Sequence, residues 1–185
     1  MPSHTESSQT TKISRSREPD STLPHTMRIG EIAIVGPGAH AREEFIRTVS
    51  DEIPLLTEDM VFGRLQINKQ LMLHLYGVDY SDQMPFSWDL ISNKLLGYIV
   101  LFPWEQPDTY PSVLQMVDTL TSRYRIPIVI AANLSDNLNV MPAQVLQASF
   151  NLSDCGEFTF CTASEASSAR HVLAVLIDAV IEKLN

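Results

Sequence analysis

The chain has 185 residues, enough for one domain with a full apolar core and a tail. Its 22 acidic and 13 basic side chains leave a net charge of −9, which argues against nucleic acid as the main partner. Cys155 and Cys161 stand in no ligand or redox spacing, His4, His25, His40, His74 and His171 show no metal spacing, and no apolar run reaches the roughly 18 residues of a membrane span. No metal site is therefore expected, and the expected location is a reducing cytoplasm.

In chain order, residues 1–27 are rich in Ser, Thr and Pro and poor in large apolar side chains, with Lys12, Arg15 and Arg17 giving a slightly basic middle. That composition predicts a disordered leader without an apolar signal core. The domain follows over 28–185. A strand is expected at 28–35 and a helix at 41–50, where Phe45, Ile46 and Val49 form one apolar face. A loop covers 51–59. Strands at 60–67 and 70–76 flank Asn68-Lys69, a two-residue hairpin turn. A polar loop over 77–85 leads to a helix at 86–96 carrying Trp88, Ile91 and Leu95. Residues 97–102 are continuously apolar, as a central parallel strand requires. A helix at 109–124, a buried strand at 126–132, a short helix at 142–149 and a strand at 157–162 with Cys161 buried come next. A helix over 165–184 closes the chain. Strands alternating with helices give an α/β class: a mostly parallel six-stranded sheet with one antiparallel hairpin strand and helices on both faces.

Residues 32–50 carry the chemistry. They read strand, glycine loop, helix, the layout of a phosphate-binding loop with the rule G-x-x-x-x-G-K-[ST]. Gly36 fills the first glycine; Ala41, Arg42 and Glu43 stand at the other three positions. Ala41 adds a Cβ where main chain would approach phosphate. Arg42 is broad and forked where the rule wants a compact ammonium. Glu43 replaces a magnesium-binding hydroxyl with a carboxylate, a like charge beside a triphosphate. Glu44 adds another. Both acids are expected in the first helical turn, where the macrodipole favours anions, so that negative side chains occupy the phosphate's place. Two glutamates near a helix start are also ordinary helix chemistry.

Three stretches carry a family resemblance: residues 35–50, with Val35-Gly-Pro-Gly-Ala-His-Ala-Arg-Glu-Glu-Phe-Ile-Arg; the hairpin with Phe62-Gly-Arg-Leu and Leu73-His-Leu-Tyr-Gly; and Phe86-Ser-Trp-Asp-Leu-Ile-Ser followed by Leu96-Gly-Tyr-Ile-Val-Leu. Together they resemble the bacterial Ras-like small GTPases, particularly the ATP/GTP-binding proteins related to the gliding-motility GTPase. The resemblance spans about residues 29–184 and implies a Ras-like P-loop NTPase fold.

Matched position by position, Gly36 agrees with the family loop and Ala41, Arg42 and Glu43 depart from it. The family's T-P-G-Q becomes Val78-Asp-Tyr-Ser81, placing Tyr80 where a glycine N–H meets the terminal phosphate and Ser81 where a glutamine orients water. Thr57 is the candidate magnesium-binding switch threonine. Where the family reads N-[KR]-x-D this chain has Asn133-Leu-Ser-Asp136, and Thr162-Ala163-Ser164 resembles the turn whose N–H meets the guanine carbonyl. Asn133 and Asp136 are equally good turn residues, and Thr162 or Ser164 a helix cap, so both readings stand.

The resemblance thus implies a pseudo-GTPase with no catalytic residue and no cofactor, which presents surfaces around the hairpin, Phe62, residues 76–84 and Trp104. The partner it implies is a roadblock-type regulator or a second copy of the chain. The competing expectation is a divergent GTP-binding protein that holds GTP and magnesium with Arg42 and Glu43.

Overall fold

The computed structural model describes residues 27–58, 60–79, 94–135 and 156–184. All of the expected 1–27 tail except Met27, the helix at 142–149, most of the helix at 86–96, and the positions Tyr80, Ser81 and Asp136 lie outside the described residues.

Strand β1 (Arg28–Val35) sits in the middle of the sheet and helix α1 (Ala39–Val49) follows it. Then come β2 (Leu55–Leu56), β3 (Met60–Asn68) and β4 (Leu71–Val78). After these lie β5 (Leu95–Pro103), a 3-10 turn (Pro107–Thr109), α2 (Tyr110–Arg123), β6 (Ile128–Asn133), β7 (Gly156–Cys161) and α3 (Ala166–Leu184). The strands form one sheet in the order β2-β3-β4-β1-β5-β6-β7. β3 pairs antiparallel with both β2 and β4; β4, β1, β5, β6 and β7 run parallel.

The class is α/β and mostly parallel, but among the described residues the sheet has seven strands rather than six. The extra one, β2, is two residues long, too short to leave a periodic pattern. The hairpin turn falls on Lys69-Gln70, one residue later than expected. Asn68 decides this: its Oδ1 accepts the Gln70 and Leu71 N–H groups at 2.8 and 3.0 Å. The ladder also slips between Gln66 and Asn68. Val78, expected in a loop, is the buried last residue of β4, paired with Met60. Leu95 and Leu96, expected at a helix end, open β5.

Alternation along the strands builds two cores. Ile32, Ile34, Leu73, Leu75, Ile99, Leu101, Val129 and Ala131 face one side, under α1 and α3. Those helices supply Phe45, Ile46 and Val49, and then Ala169, Val172, Leu173 and Leu176 at i, i+3, i+4 and i+7. Ala33, Val35, Tyr98, Val100, Phe102, Ile128 and Ile130 face the other side, under Val113, Met116, Val117 and Leu120 of α2. Full burial of each such large side chain contributes about 1.5–3 kcal/mol. Helices thus cover both faces. Among the described residues no helix is long and apolar enough to cross a membrane.

Cys161 ends β7 inside the first core. Burial pushes its thiol up to about 12, with the Ser168 hydroxyl pulling weakly the other way. Native protein at pH 8 is expected to resist a disulfide exchange reagent at Cys161 and to react once unfolded. An unfolded thiol titrates near 8.5. The stability this group contributes is therefore complete below about pH 8.5 and lost as pH climbs toward about 12, by at most about 1.4 kcal/mol per pH unit. Denaturation of wild type and Cys161→Ala across that range checks it: the variant's profile is expected to be flatter.

Candidate functional site

In an open α/β sheet, ligands bind beyond the carboxyl ends of the strands, where the strand order reverses. Here that place is the end of β1, with β4 on one side and β5 on the other. The β1–β4 ladder pairs Ile34 with Gly77, so the residues two further on, Gly36 and Asp79, emerge at one level.

Gly36 leaves β1 with φ +131°, and a Cβ there would lie 1.9 Å from the Leu101 carbonyl oxygen of β5. Only glycine fits that approach. Gly38 has φ +94° and caps α1 from the left-handed region in open space. This cap starts the helix at Ala39, two residues earlier than expected. Glu43 and Glu44 therefore sit in the second turn rather than the first, where the macrodipole's influence has faded.

The side chain turned into the loop is Arg42, not an acid. It is 4 % exposed, and its guanidinium donates to the Gly36 carbonyl and to the Asp79 carboxylate. The cation thus closes the loop onto the end of β4. Burial lowers its pKa from the ordinary arginine value, and a guanidinium keeps its proton regardless. Asp79 is 77 % exposed, so the pair is buried at one end and hydrated at the other. The expectation that Glu43 and Glu44 fill the phosphate's place is overturned, and the acid that reaches the loop is Asp79. Glu43 reaches along the helix to Arg47 at 2.5 Å, an i,i+4 surface pair worth a few tenths of a kcal/mol at most. Ala41 packs against the first core.

Thr57 is a turn residue. Its N–H donates to the Met60 carbonyl at 2.8 Å, and its hydroxyl lies 3.1 Å from both the Met60 N–H and carbonyl. These bonds fasten the β2–β3 connection.

At the far end of the crevice, Asn133 is the last residue of β6. Its Oδ1 accepts the Ala163 N–H at 2.9 Å, and its carbonyl accepts the Trp104 N–H at 2.9 Å. The Thr162 N–H goes to the Ser168 hydroxyl at 2.9 Å, and the Leu134 N–H to the Cys161 carbonyl at 2.7 Å. The Ser135 N–H meets the Glu105 carboxylate at 2.9 Å. Asn133 and the 162–164 turn are therefore brought together, and they bond to each other. The Ala163 N–H that the resemblance aims at a base carbonyl already has an acceptor within the chain.

Asp79, Glu105 and Ser168 went unrecognised in the sequence. For Asp79 a signal existed: an acid one residue past a strand parallel to β1 must surface beside the residue that follows β1.

Near Trp104, its ring stacks on Tyr110 at 5.6 Å and meets Phe160 edge-on at 5.7 Å. On the hairpin, Phe62 contacts His74 and Tyr76, each at 5.2 Å. Among the described residues no three His, Cys, Asp or Glu side chains converge on a metal-sized site. No family model matches the chain, and no curated protein is significantly similar to it.

Asp79→Ala leaves the buried Arg42 without its counterion. Because water reaches Asp79, the expected loss is about 1–2 kcal/mol rather than that of a fully buried pair. Arg42→Met, which removes the charge and keeps much of the volume, is expected to lose less. Urea denaturation of both variants checks the ranking; the reverse order would mean that the pair does not hold the loop.

Proposed function

We propose that this chain is a pseudo-GTPase: a protein of Ras-like fold that has given up magnesium–GTP binding and hydrolysis and acts as a protein-interaction module. The observation that carries this reading is the position of Arg42. A loop built for phosphates offers N–H groups and a mobile cation to the ligand. Here the cation is buried and committed to the Gly36 carbonyl and the Asp79 carboxylate. A nucleotide phosphate would have to displace Asp79 and compete with the carbonyl of the loop's first glycine.

The base end supports the same reading, since the Ala163 N–H is bonded to Asn133. Glu43 is turned to Arg47, so the residue at the magnesium position has its own partner. These residues do not fit a magnesium nucleotide, and no catalytic role is assigned to any of them. The parallel sheet and covered faces supply a rigid platform. The aromatic groups around Phe62 and Trp104 are its contact regions, and a roadblock-type regulator or a second copy is the partner.

Titration with a fluorescent GTP analogue and magnesium is expected to show no binding, and GTP with magnesium to leave the melting temperature unchanged. Micromolar affinity would end this reading in favour of a divergent GTP-binding protein. Where the base end still accepts guanine, the combined variant Ala41→Gly, Arg42→Lys, Glu43→Thr binds at least about tenfold more tightly than wild type, equivalent to about 1.4 kcal/mol. No gain from the repaired loop would make Asn133 and the 162–164 turn purely structural.

A further inference from the structure

The outer edge of β3 is covered by its own chain. The Asp51 N–H donates to the Arg64 carbonyl at 2.9 Å, and the Asp51 carboxylate accepts the Gln66 N–H at 2.5 Å. Leu55 and Leu56 pair with Phe62 and Val61. The new edge made by this covering segment is apolar and open: Ile53 is 88 % exposed, Leu55 62 % and Leu56 48 %. A cavity of about 180 Å³ lies against it, lined by Glu52, Ile53, Leu55, Phe62, Gly63 and Arg64. The surrounding charge is acidic. Asp51, Glu52 and Glu58 are exposed, and the neighbouring cation, Arg64, is paired with Glu52 at 2.5 Å.

We propose that residues 12–17 of this same chain dock along this edge as an added strand. Lys12-Ile13-Ser14-Arg15-Ser16-Arg17 holds three cations, no acid and a single branched aliphatic side chain. Ile13 is the anchor for the small cavity, and Lys12, Arg15 and Arg17 meet the acidic rim. Strand addition supplies main-chain hydrogen bonds, while the cavity and rim supply selectivity.

The reach is sufficient. From β1 to a strand added outside β2 is four strand steps, about 19 Å across the sheet, and from Asn68 back to Phe62 is about 20 Å along β3. The diagonal is about 28 Å, and the ten residues from Arg17 to Met27 span about 33 Å when extended. A second copy is the poorer occupant. A two-fold pairing of this edge sets Glu52 and Glu58 against carboxylates of the same patch, and like charges across a ladder are destabilising. The inference is independent of how the Gly36–Arg42 loop is read.

Amide hydrogen exchange of the full chain, followed by mass spectrometry over residues 51–58, tests it. Relative to a full chain carrying Lys12→Glu, Arg15→Glu and Arg17→Glu, the wild type is expected to exchange at least about threefold more slowly there. That difference should collapse in about 1 M salt, where charges are screened beyond about 3 Å. An Ile13→Asp chain should match the charge-reversed one. The melting transition of the domain serves as the control for folding. Equal exchange in wild type and variants overturns the proposal. So does protection that grows with protein concentration, which would make a second copy the occupant.

Discussion

Two parallel ladders set the geometry on which the rest depends: β4 against β1, and β1 against β5. They bring three carboxyl ends together and decide which backbone atoms meet there. The Leu101 carbonyl of β5 sits so close to Gly36 that no side chain fits between them. The chain must therefore leave β1 through a glycine of positive φ, pass Pro37, and enter α1 from a second glycine in the left-handed region. From that entry the helix phase follows. Phe45, Ile46 and Val49 turn to the first core, and Arg42, a turn earlier, is carried under the loop it follows.

The charge at the crevice is a consequence of that phase. A guanidinium placed in a site this enclosed needs acceptors, because burying an unpaired ion costs several kcal/mol. Gly36 supplies a carbonyl and Asp79 a carboxylate. The same economy recurs at the other end of the crevice, where Asn133 and Ala163 satisfy each other. The Arg42 guanidinium at one end and the Ala163 N–H at the other, two donors that could face a ligand, are matched within the chain. This common pattern gives the proposed loss of nucleotide binding a physical basis beyond the departures from the loop rule.

Sequence periodicity carried most of the fold. The i, i+3, i+4, i+7 spacing in α2 and α3 and the continuous apolar runs of β5 and β6 leave few arrangements other than a covered parallel sheet. What escaped was set by single side chains or by register. Asn68 moved a turn by bonding main chain ahead of it; Gly38 moved a helix start; β2 is too short to show a period. In the site, Gly36 and Arg42 were legible because a short rule names their positions. Asp79 is 37 residues from Arg42, and Ala163 is 30 from Asn133. Pairs at that separation follow from strand alignment, not from any local pattern. The glutamates were misplaced for a local reason, the early helix start at Gly38. Their positions along the chain were plain, but which helical face held the loop depended on where the helix began.

The Arg42–Asp79 pair is unequal, and the inequality has a direction. Asp79 is mostly hydrated, so water offers it an alternative to Arg42 at little cost. Arg42 has no such alternative, since leaving the loop means withdrawing a buried side chain from beside the first core and abandoning the Gly36 carbonyl. The cation is therefore the fixed member and the carboxylate the exchangeable one. A guanidinium fixed in this way is a structural element of the loop. An anion arriving there would compete with a tethered carboxylate whose effective concentration exceeds that of ordinary solutes in dilute solution.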